Sequence, residues 1–256
     1  DYHGSFENYA AAKAKLFLQC DKAVLNADDP AYKRMIRDSA CASVTYAEKS
    51  AADYRAEEVT YEQRGVSYLL AHAEQKVKIH IGIPGEFSVY NSLCALSVLA
   101  ELGFSLSELA EKAVLLKGVK GRIEVVPTDT DYVVIIDYAH SPDGLENILR
   151  AVRPITKGRV LTVFGCGGDR DKTKRPIMGK TAYDLSDRIY VTSDNPRTED
   201  PDAIIRDILT GINGSDKPIY VNPSRTDAIK QALLDARAGD TVLLAGKGHE
   251  TYQILG

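Results

Sequence analysis

The chain has 256 residues, room for one large or two ordinary domains, with a net charge of −4 from mixed signs and 44% apolar residues. That balance excludes a strongly basic nucleic-acid surface and gives no charge block for a membrane surface. No apolar run approaches the roughly 18 residues of a membrane span, and no signal peptide is visible.

From the start of the chain, Phe6 to Gln19 reads as a helix. Phe6, Tyr9, Lys13, Leu16, Phe17 and Cys20 recur at helical spacing and form one stripe. Strand-like runs follow at Ala23–Asn26 and Ser43–Tyr46, then polar β segments around Tyr54–Glu62, Ser67–His72 and Val77–Ile83. Asn91–Leu102 and Leu106–Leu116 read as helices, separated by Gly103-Phe104-Ser105, a helix stop followed by a serine cap. Lys117–Arg122, with its glycines and basic residues, marks a domain boundary that divides the chain into 1–118 and 119–256.

Beyond the boundary the pattern alternates. Tyr132–Asp137 reads as a strand, Leu145–Val152 as a helix, Val160–Phe164 as a strand, Ile177–Leu185 as a helix and Ile189–Thr192 as a strand. Ala203–Thr210 reads as a helix, Ile219–Val221 as a short strand, Ala228–Ala236 as a helix and Val242–Leu244 as a strand. Continuous β-branched runs between amphipathic helices predict a mostly parallel sheet covered on both faces, an α/β fold.

In such a sheet ligands bind at the carboxyl ends of the strands. Four loops leave those ends: Asp137–Pro142, Gly165–Asp171, Ser193–Pro201 and Gly246–Glu250. All carry charged or imidazole groups, whereas Lys157-Gly158 and Ala238-Gly239-Asp240 on the opposite edge are plain turns. Asp200-Pro201 taken alone is an ordinary N-cap with proline at the first helical position. Arg170 and Arg197 offer forked donors for carboxylates or phosphates. Asp194 and Glu250 accept from an ammonium group. Both signs together suit a zwitterionic amino acid better than a bare phosphate. Pro196, Gly246 and Gly248 would fix the backbone for close approach.

Two phosphate motifs are absent. Gly167–Thr173 lacks the Gly-Lys-Ser/Thr of a Walker A loop, because Asp171 precedes Lys172-Thr173. Arg170 stands where a dinucleotide-binding Gly-x-Gly-x-x-Gly needs its third glycine, which argues against an oxidoreductase. The four cysteines, Cys20, Cys41, Cys94 and Cys166, are far apart with no Cys-x-x-Cys pair, which points to reduced thiols. Cys166, in a glycine-rich loop, is the one to watch. Lys13 has two readings. Its stem packs while its head reaches water, or it is buried with a depressed pKa and its neutral amine takes up carbon dioxide, giving a carbamate suited to Mg²⁺.

Taken together, several motifs in order resemble the Mur ligase family. They are Asp1-Tyr2-His3-Gly4 with Tyr9–Lys13, Asn26-Ala27-Asp28-Asp29, Asn91 in its helix start, Gly121-Arg122-Ile123-Glu124 and Asp137–Pro142. Gly165–Asp171, Asp194-Asn195-Pro196-Arg197 and Gly246–Glu250 are similar to the diaminopimelate-adding members of that family. The resemblance covers essentially the whole chain. It implies the carboxyl-terminal part of a central ATPase domain followed by a Rossmann-like, amino-acid-binding domain cut near its end. It also implies a monomeric, cytoplasmic enzyme of peptidoglycan synthesis using ATP and Mg²⁺, with no nucleic-acid or membrane partner. In that chemistry ATP phosphorylates the D-glutamate carboxylate of UDP-N-acetylmuramoyl-L-alanyl-D-glutamate, and the amine of meso-diaminopimelate displaces the phosphate.

By the same resemblance Lys13 is the carbamate that helps hold Mg²⁺, and Asn91, Arg122, Asp137 and His140 lie around the nucleotide. Arg170, Asp194, Asn195, Pro196, Arg197, Gly246 and Glu250 form the diaminopimelate pocket. The Asp-Asn-Pro-Arg form goes with diaminopimelate, since lysine-adding relatives lack that arginine. The family's phosphate-binding loop and its UDP-binding domain have no counterpart in the sequence, the family histidine near Mg²⁺ would fall before Asp1, and Ser88 replaces an asparagine near the adenine. The chain is therefore read as a piece of a longer protein, inactive alone as a ligase. An isolated amino-acid-binding module and a folylpolyglutamate-type ligase are the alternatives.

Overall fold

The computed structural model describes residues 5–212 and 216–254. They divide into two compact units. The first holds the residues through Tyr61 with Gly65–Gly82 and Glu86–Leu116; the second holds Glu62–Arg64, Ile83–Gly85 and the residues from Lys117 onward.

In the first unit, helix α1 (Phe6–Ala14) starts at Ser5, whose side chain accepts from Asn8 N, and tightens into a 3₁₀ turn at Lys15–Leu18. The stripe expected on this helix does not form a buried seam. Phe6 is 60% exposed and Leu16 64%, and the buried residue of the helix is Ala10. Spacing shows that a face is apolar; it does not show what covers it.

Five strands follow with one short helix: β1 (Lys22–Asn26), α2 (Tyr32–Ile36), β2 (Ala42–Ala47), β3 (Tyr54–Glu62), β4 (Gly65–His72) and β5 (Gln75–Ile81). They form a sheet in chain order, β1, β2 and β3 parallel and β4 and β5 an antiparallel pair. Helix α3 (Glu86–Glu101) packs on β1, β2 and β4, with Val89, Leu93 and Leu96 on its buried face. It starts earlier than the sequence suggests. Ser92 Oγ, beside Tyr68 Oη at 2.9 Å, donates back to Ser88 O, so the small polar residues of this face belong to the helix. After Gly103, whose φ of +98° ends the helix, Ser105 and Glu108 form a capping box for α4 (Leu106–Ala113).

The second unit alternates strand and helix: β6 (Glu124–Val126), β7 (Val133–Asp137), α5 (Pro142–Val152), β8 (Val160–Phe164), α6 (Lys174–Leu185), β9 (Arg188–Val191), α7 (Pro201–Leu209), β10 (Ile219–Val221), α8 (Arg225–Asp235) and β11 (Thr241–Ala245). The sheet order is β10-β9-β8-β11-β7-β6, parallel throughout except for β6 on β7. Val133 and Ile135 point to the face that packs with Leu145 and Leu149 of α5, Met178 of α6 and Ile204 and Ile208 of α7. Val134 points to the other, with Leu161, Tyr190, Ala228 and Ala232. Both faces are covered, which is why these strands read as unbroken apolar runs.

Helices α5, α7 and α8 of this unit enter through polar caps: Ser141 before Pro142, Asp200 before Pro201 and Ser224 before Arg225, each side chain accepting a backbone N–H. The far edge of the sheet is locked by Asp240. Its carboxylate accepts from Arg159 N, Arg159 Nη2 and Arg237 N. That edge carries structure, as its plain turns suggested.

Candidate functional site

Because β7, β8, β9 and β11 are parallel neighbours, the loops leaving their carboxyl ends meet on one edge. They enclose a cavity of about 290 Å³. The first loop contributes Tyr138 and His140, the second Gly165, Gly167 and Arg170, followed by Lys174 at the start of α6. The third contributes Asp194, Asn195 and Arg197, and the last Gly246 and Glu250. Three cations and two carboxylates thus share one small space within the second unit.

Lys247 organises the acceptors; it lies in the Gly246–Glu250 loop, where the sequence singles out Gly246, Gly248 and Glu250 rather than the lysine. Its Nζ donates to Asn195 Oδ1 at 2.9 Å and Glu250 Oε2 at 3.0 Å, and lies 3.9 Å from Asp194 Oδ1. Asn195 Nδ2 donates to Glu250 Oε2 at 3.1 Å. Burial pushes the Glu250 carboxyl up, but the bonds from Lys247 and Asn195 outweigh it and hold the group below the usual carboxylate range. Gly246 has φ +110°, and a Cβ there would stand 2.9 Å from Asp194 Oδ2. Glycine is what lets the last loop pass against the third.

Arg197 sits in the left-handed region at φ +54°, and its Nη1 donates to Gly168 O at 2.7 Å. Pro196 is buried inside its loop and does not line the cavity; its carbonyl accepts from Glu199 N. Cys166 is buried with Sγ 3.6 Å from Met178 Sδ, and burial pushes its thiol up to about 12. It is a packing residue, as a high pKa makes a poor nucleophile.

The residues expected around a nucleotide are divided between the two units. His140 lines the cavity, with Nδ1 3.0 Å from Tyr138 O. Asp137, 7% exposed, has both carboxylate oxygens committed: Oδ2 accepts from Ile123 N at 2.9 Å and Oδ1 from Ala139 N at 2.8 Å. It holds Ile123 at φ +42°, a conformation a β-branched residue avoids. Arg122 is exposed, its guanidinium 5.4 Å from the Tyr138 ring, which also stacks on His249 at 5.7 Å. Asn91 lies exposed in the second turn of α3 in the first unit.

Lys13 is also in the first unit. The buried reading of Lys13 is corrected: it is exposed, with Nζ 5.6 Å from the Tyr9 ring centroid. Among the described residues no group of three His, Cys, Asp or Glu side chains is arranged to hold a metal.

Glu199, just beyond the third loop's arginine, accepts from Arg175, from Asp169 N at 2.6 Å and from Lys172. These bonds, led by Arg175, hold its carboxyl at about 2. They exist only in the folded chain, so the unfolded chain takes up the proton first as pH falls. The stabilisation is complete above the ordinary carboxylate range and is lost between about pH 4.5 and pH 2. Melting temperatures measured across that window are expected to fall more steeply for the native sequence than for Glu199→Gln. Parallel curves would show that Glu199 contributes nothing to acid stability.

Comparison with known proteins agrees with this architecture. Residues 1–99 match the Mur ligase middle domain and residues 121–248 the family described as Mur ligase, glutamate ligase domain. The UDP-N-acetylmuramoyl-L-alanyl-D-glutamate–2,6-diaminopimelate ligase 1 of Clostridium acetobutylicum is 45% identical over 258 residues, covering 100% of this chain and 53% of the relative. The corresponding ligase of Synechococcus elongatus is 46% identical over 261 residues, covering 100% of this chain and 52% of its own length. A solved structure of a ligase of the same name superposes with a TM-score of 0.78 at 37% identity, covering 99% of this chain and 53% of the other. The chain spans about half the length of the curated relatives it matches. With both domain matches in sequence order and a fold to suit them, the chain belongs to the Mur ligase family.

Proposed function

We propose that this chain is part of an ATP-dependent ligase that joins meso-diaminopimelate to UDP-N-acetylmuramoyl-L-alanyl-D-glutamate in peptidoglycan synthesis, and that the cavity of the second unit holds the diaminopimelate. Relatives of that name at 42–46% identity support the reaction. The observation that carries the assignment of the cavity is its charge: Arg170 and Arg197 for carboxylates, Asp194 and Glu250 for ammonium groups, within about 290 Å³. Meso-diaminopimelate presents two of each. Arg197 would take the distal carboxylate; Asp194 and Glu250 would hold an ammonium group, with Lys247 keeping their acceptors in place.

Holding both ends of the amino acid fixes where its reacting amine stands relative to the acyl group it attacks, and such positioning is a large part of the rate enhancement in ligases of this kind. Arg122, Asp137 and His140 form the nucleotide side of the same proposal, with Asp137 acting through the backbone it fixes and Asn91 contributing from the first unit. The donors around Lys13 do not complete a Mg²⁺ site, so no step is derived through the metal. Lys13 would serve as a carbamate ligand only together with donors beyond the described residues. A monomeric, cytoplasmic enzyme belongs to the same proposal. No helix among the described residues is long and apolar enough to cross a membrane.

Because every wall of the cavity belongs to the second unit, binding of the amino acid is expected from this chain even without turnover. Titration calorimetry should detect meso-diaminopimelate and show weaker binding of L-lysine, which lacks the distal carboxylate. Equal affinity for the two would overturn the assignment.

A further inference from the structure

Arg175 is the largest fully buried side chain, at 0% exposure, and it belongs to none of the walls of the cavity. It stands in the first turn of α6. Its Nη1 donates to Glu199 Oε2 at 3.0 Å and Asp207 Oδ2 at 2.9 Å; its Nη2 donates to Glu199 Oε1 at 2.8 Å and Gly167 O at 3.4 Å. Glu199 Oε1 in turn accepts from Asp169 N at 2.6 Å. One guanidinium therefore ties the loop after β8, the loop after β9 and helix α7 together.

Both pocket arginines hang from those loops. Arg170 follows Asp169, the residue whose N–H Glu199 accepts. Arg197 lies just before Glu199 and reaches back to Gly168 O. Asp169 and Arg197 have φ of +52° and +54°, conformations that non-glycine residues avoid unless their surroundings impose them. The imposing contacts are the Arg175–Glu199 pair, the bond from Thr198 Oγ1 to Asp169 Oδ1 at 2.7 Å and that from Gly168 N to Asn195 O at 2.9 Å. A buried ion pair is a poor source of stability, since apolar residues of the same volume often do as well. What a forked guanidinium on a carboxylate supplies, and apolar packing does not, is a fixed geometry.

We propose that Arg175 and Glu199 form a positioning pair that sets the spacing of Arg170 and Arg197, and thereby the preference of the cavity for a diamino dicarboxylate over lysine. This rests on the reading of the cavity as the diaminopimelate site. The pair touches no substrate and acts through the loops that carry the two guanidiniums.

The test uses the complete gene product with Arg175→Lys, which keeps the charge and loses the fork, and Glu199→Gln, which keeps the size and loses the charge. Steady-state kinetics with meso-diaminopimelate, L-lysine and ATP varied in turn are read beside the melting temperature. The kcat/KM ratio of diaminopimelate to lysine is expected to fall about tenfold or more, carried by the KM for diaminopimelate, with the KM for ATP unchanged. A preserved ratio in a folded variant, or an equal loss for every substrate, overturns the proposal; Glu199→Gln decides it if Arg175→Lys does not fold. Arg197→Ala runs alongside. An undiminished ratio in Arg197→Ala overturns the reading of the cavity itself. A ratio lost in Arg197→Ala but kept in Arg175→Lys overturns the positioning pair alone.

Discussion

Replacing Arg197 by alanine in the complete ligase is expected to raise the KM for meso-diaminopimelate by roughly 30- to 1000-fold, the equivalent of about 2–4 kcal/mol, while the KM for ATP moves less than about twofold. The size follows from the environment. Arg197 is half-buried in a loop whose shape it helps to set, and among the described residues its side-chain hydrogen bonds run from Nη1, to Gly168 O and Asn195 O. A carboxylate brought to this place would be largely out of water, and without the guanidinium it would be left unpaired there. That unpaired charge dominates the cost. Lysine should lose far less, because it brings no distal carboxylate. Varying each substrate in turn separates the effects, and equal rises in both KM values would remove Arg197 from the pocket.

Gly168→Ala is the second large effect. A Cβ at Gly168 would lie 1.9 Å from Pro196 O and 2.7 Å from Pro196 C, both backbone atoms that cannot swing aside. The loops after β8 and β9 would have to part, breaking the bond from Gly168 N to Asn195 O. Overpacking of this kind costs about 1–3 kcal/mol, or roughly 3–10 °C in melting temperature for a protein of this size. Diaminopimelate affinity should fall with it, since Asn195, Arg197 and Arg170 all ride on the two loops. Gly82→Ala is the control: nothing lies within 4 Å of a Cβ there. If the two variants melt together and bind alike, the close approach of these loops has no energetic weight.

The sequence was most legible where a rule of geometry applies. Apolar strands alternating with helices imply a parallel sheet, a parallel sheet puts its loops on one edge, and each of the four polar loops does supply the cavity with residues: His140, Arg170, Asp194 with Asn195 and Arg197, and Gly246 with Glu250. The single residues behind those walls were not legible. Arg175 lies in a helical turn ahead of Ile177, where the apolar repeat begins, and arginine is among the residues least often buried. Its partners Glu199 and Asp207 stand at no revealing spacing. Lys247 offers the same lesson, because only the fold brings Asn195 and Glu250 to its ammonium group. The family resemblance named the pocket residues without indicating this supporting layer. Helix α2 and strand β6 are too short to show a period, and the spacing of the stripe on α1 does not show what covers it; most of it faces solvent.

The order of strands in the second sheet bears on how the protein is made. Strand β11 comes after the other described strands in sequence, yet it lies between β7 and β8, paired to both. A ribosome delivers β7 and β8 long before the strand that must separate them. Until β11 emerges these two have no correct neighbour on their facing edges, and any pairing made between them has to be undone. Contacts so distant in sequence are slow to form, and unpaired edges on a nascent chain invite aggregation or capture by chaperones. The loop carrying Gly246 and Glu250 follows β11 directly. The cavity is thus completed only once β11 has joined the sheet, and a polypeptide that stops before β11 carries the described helices without the wall formed by Gly246 and Glu250.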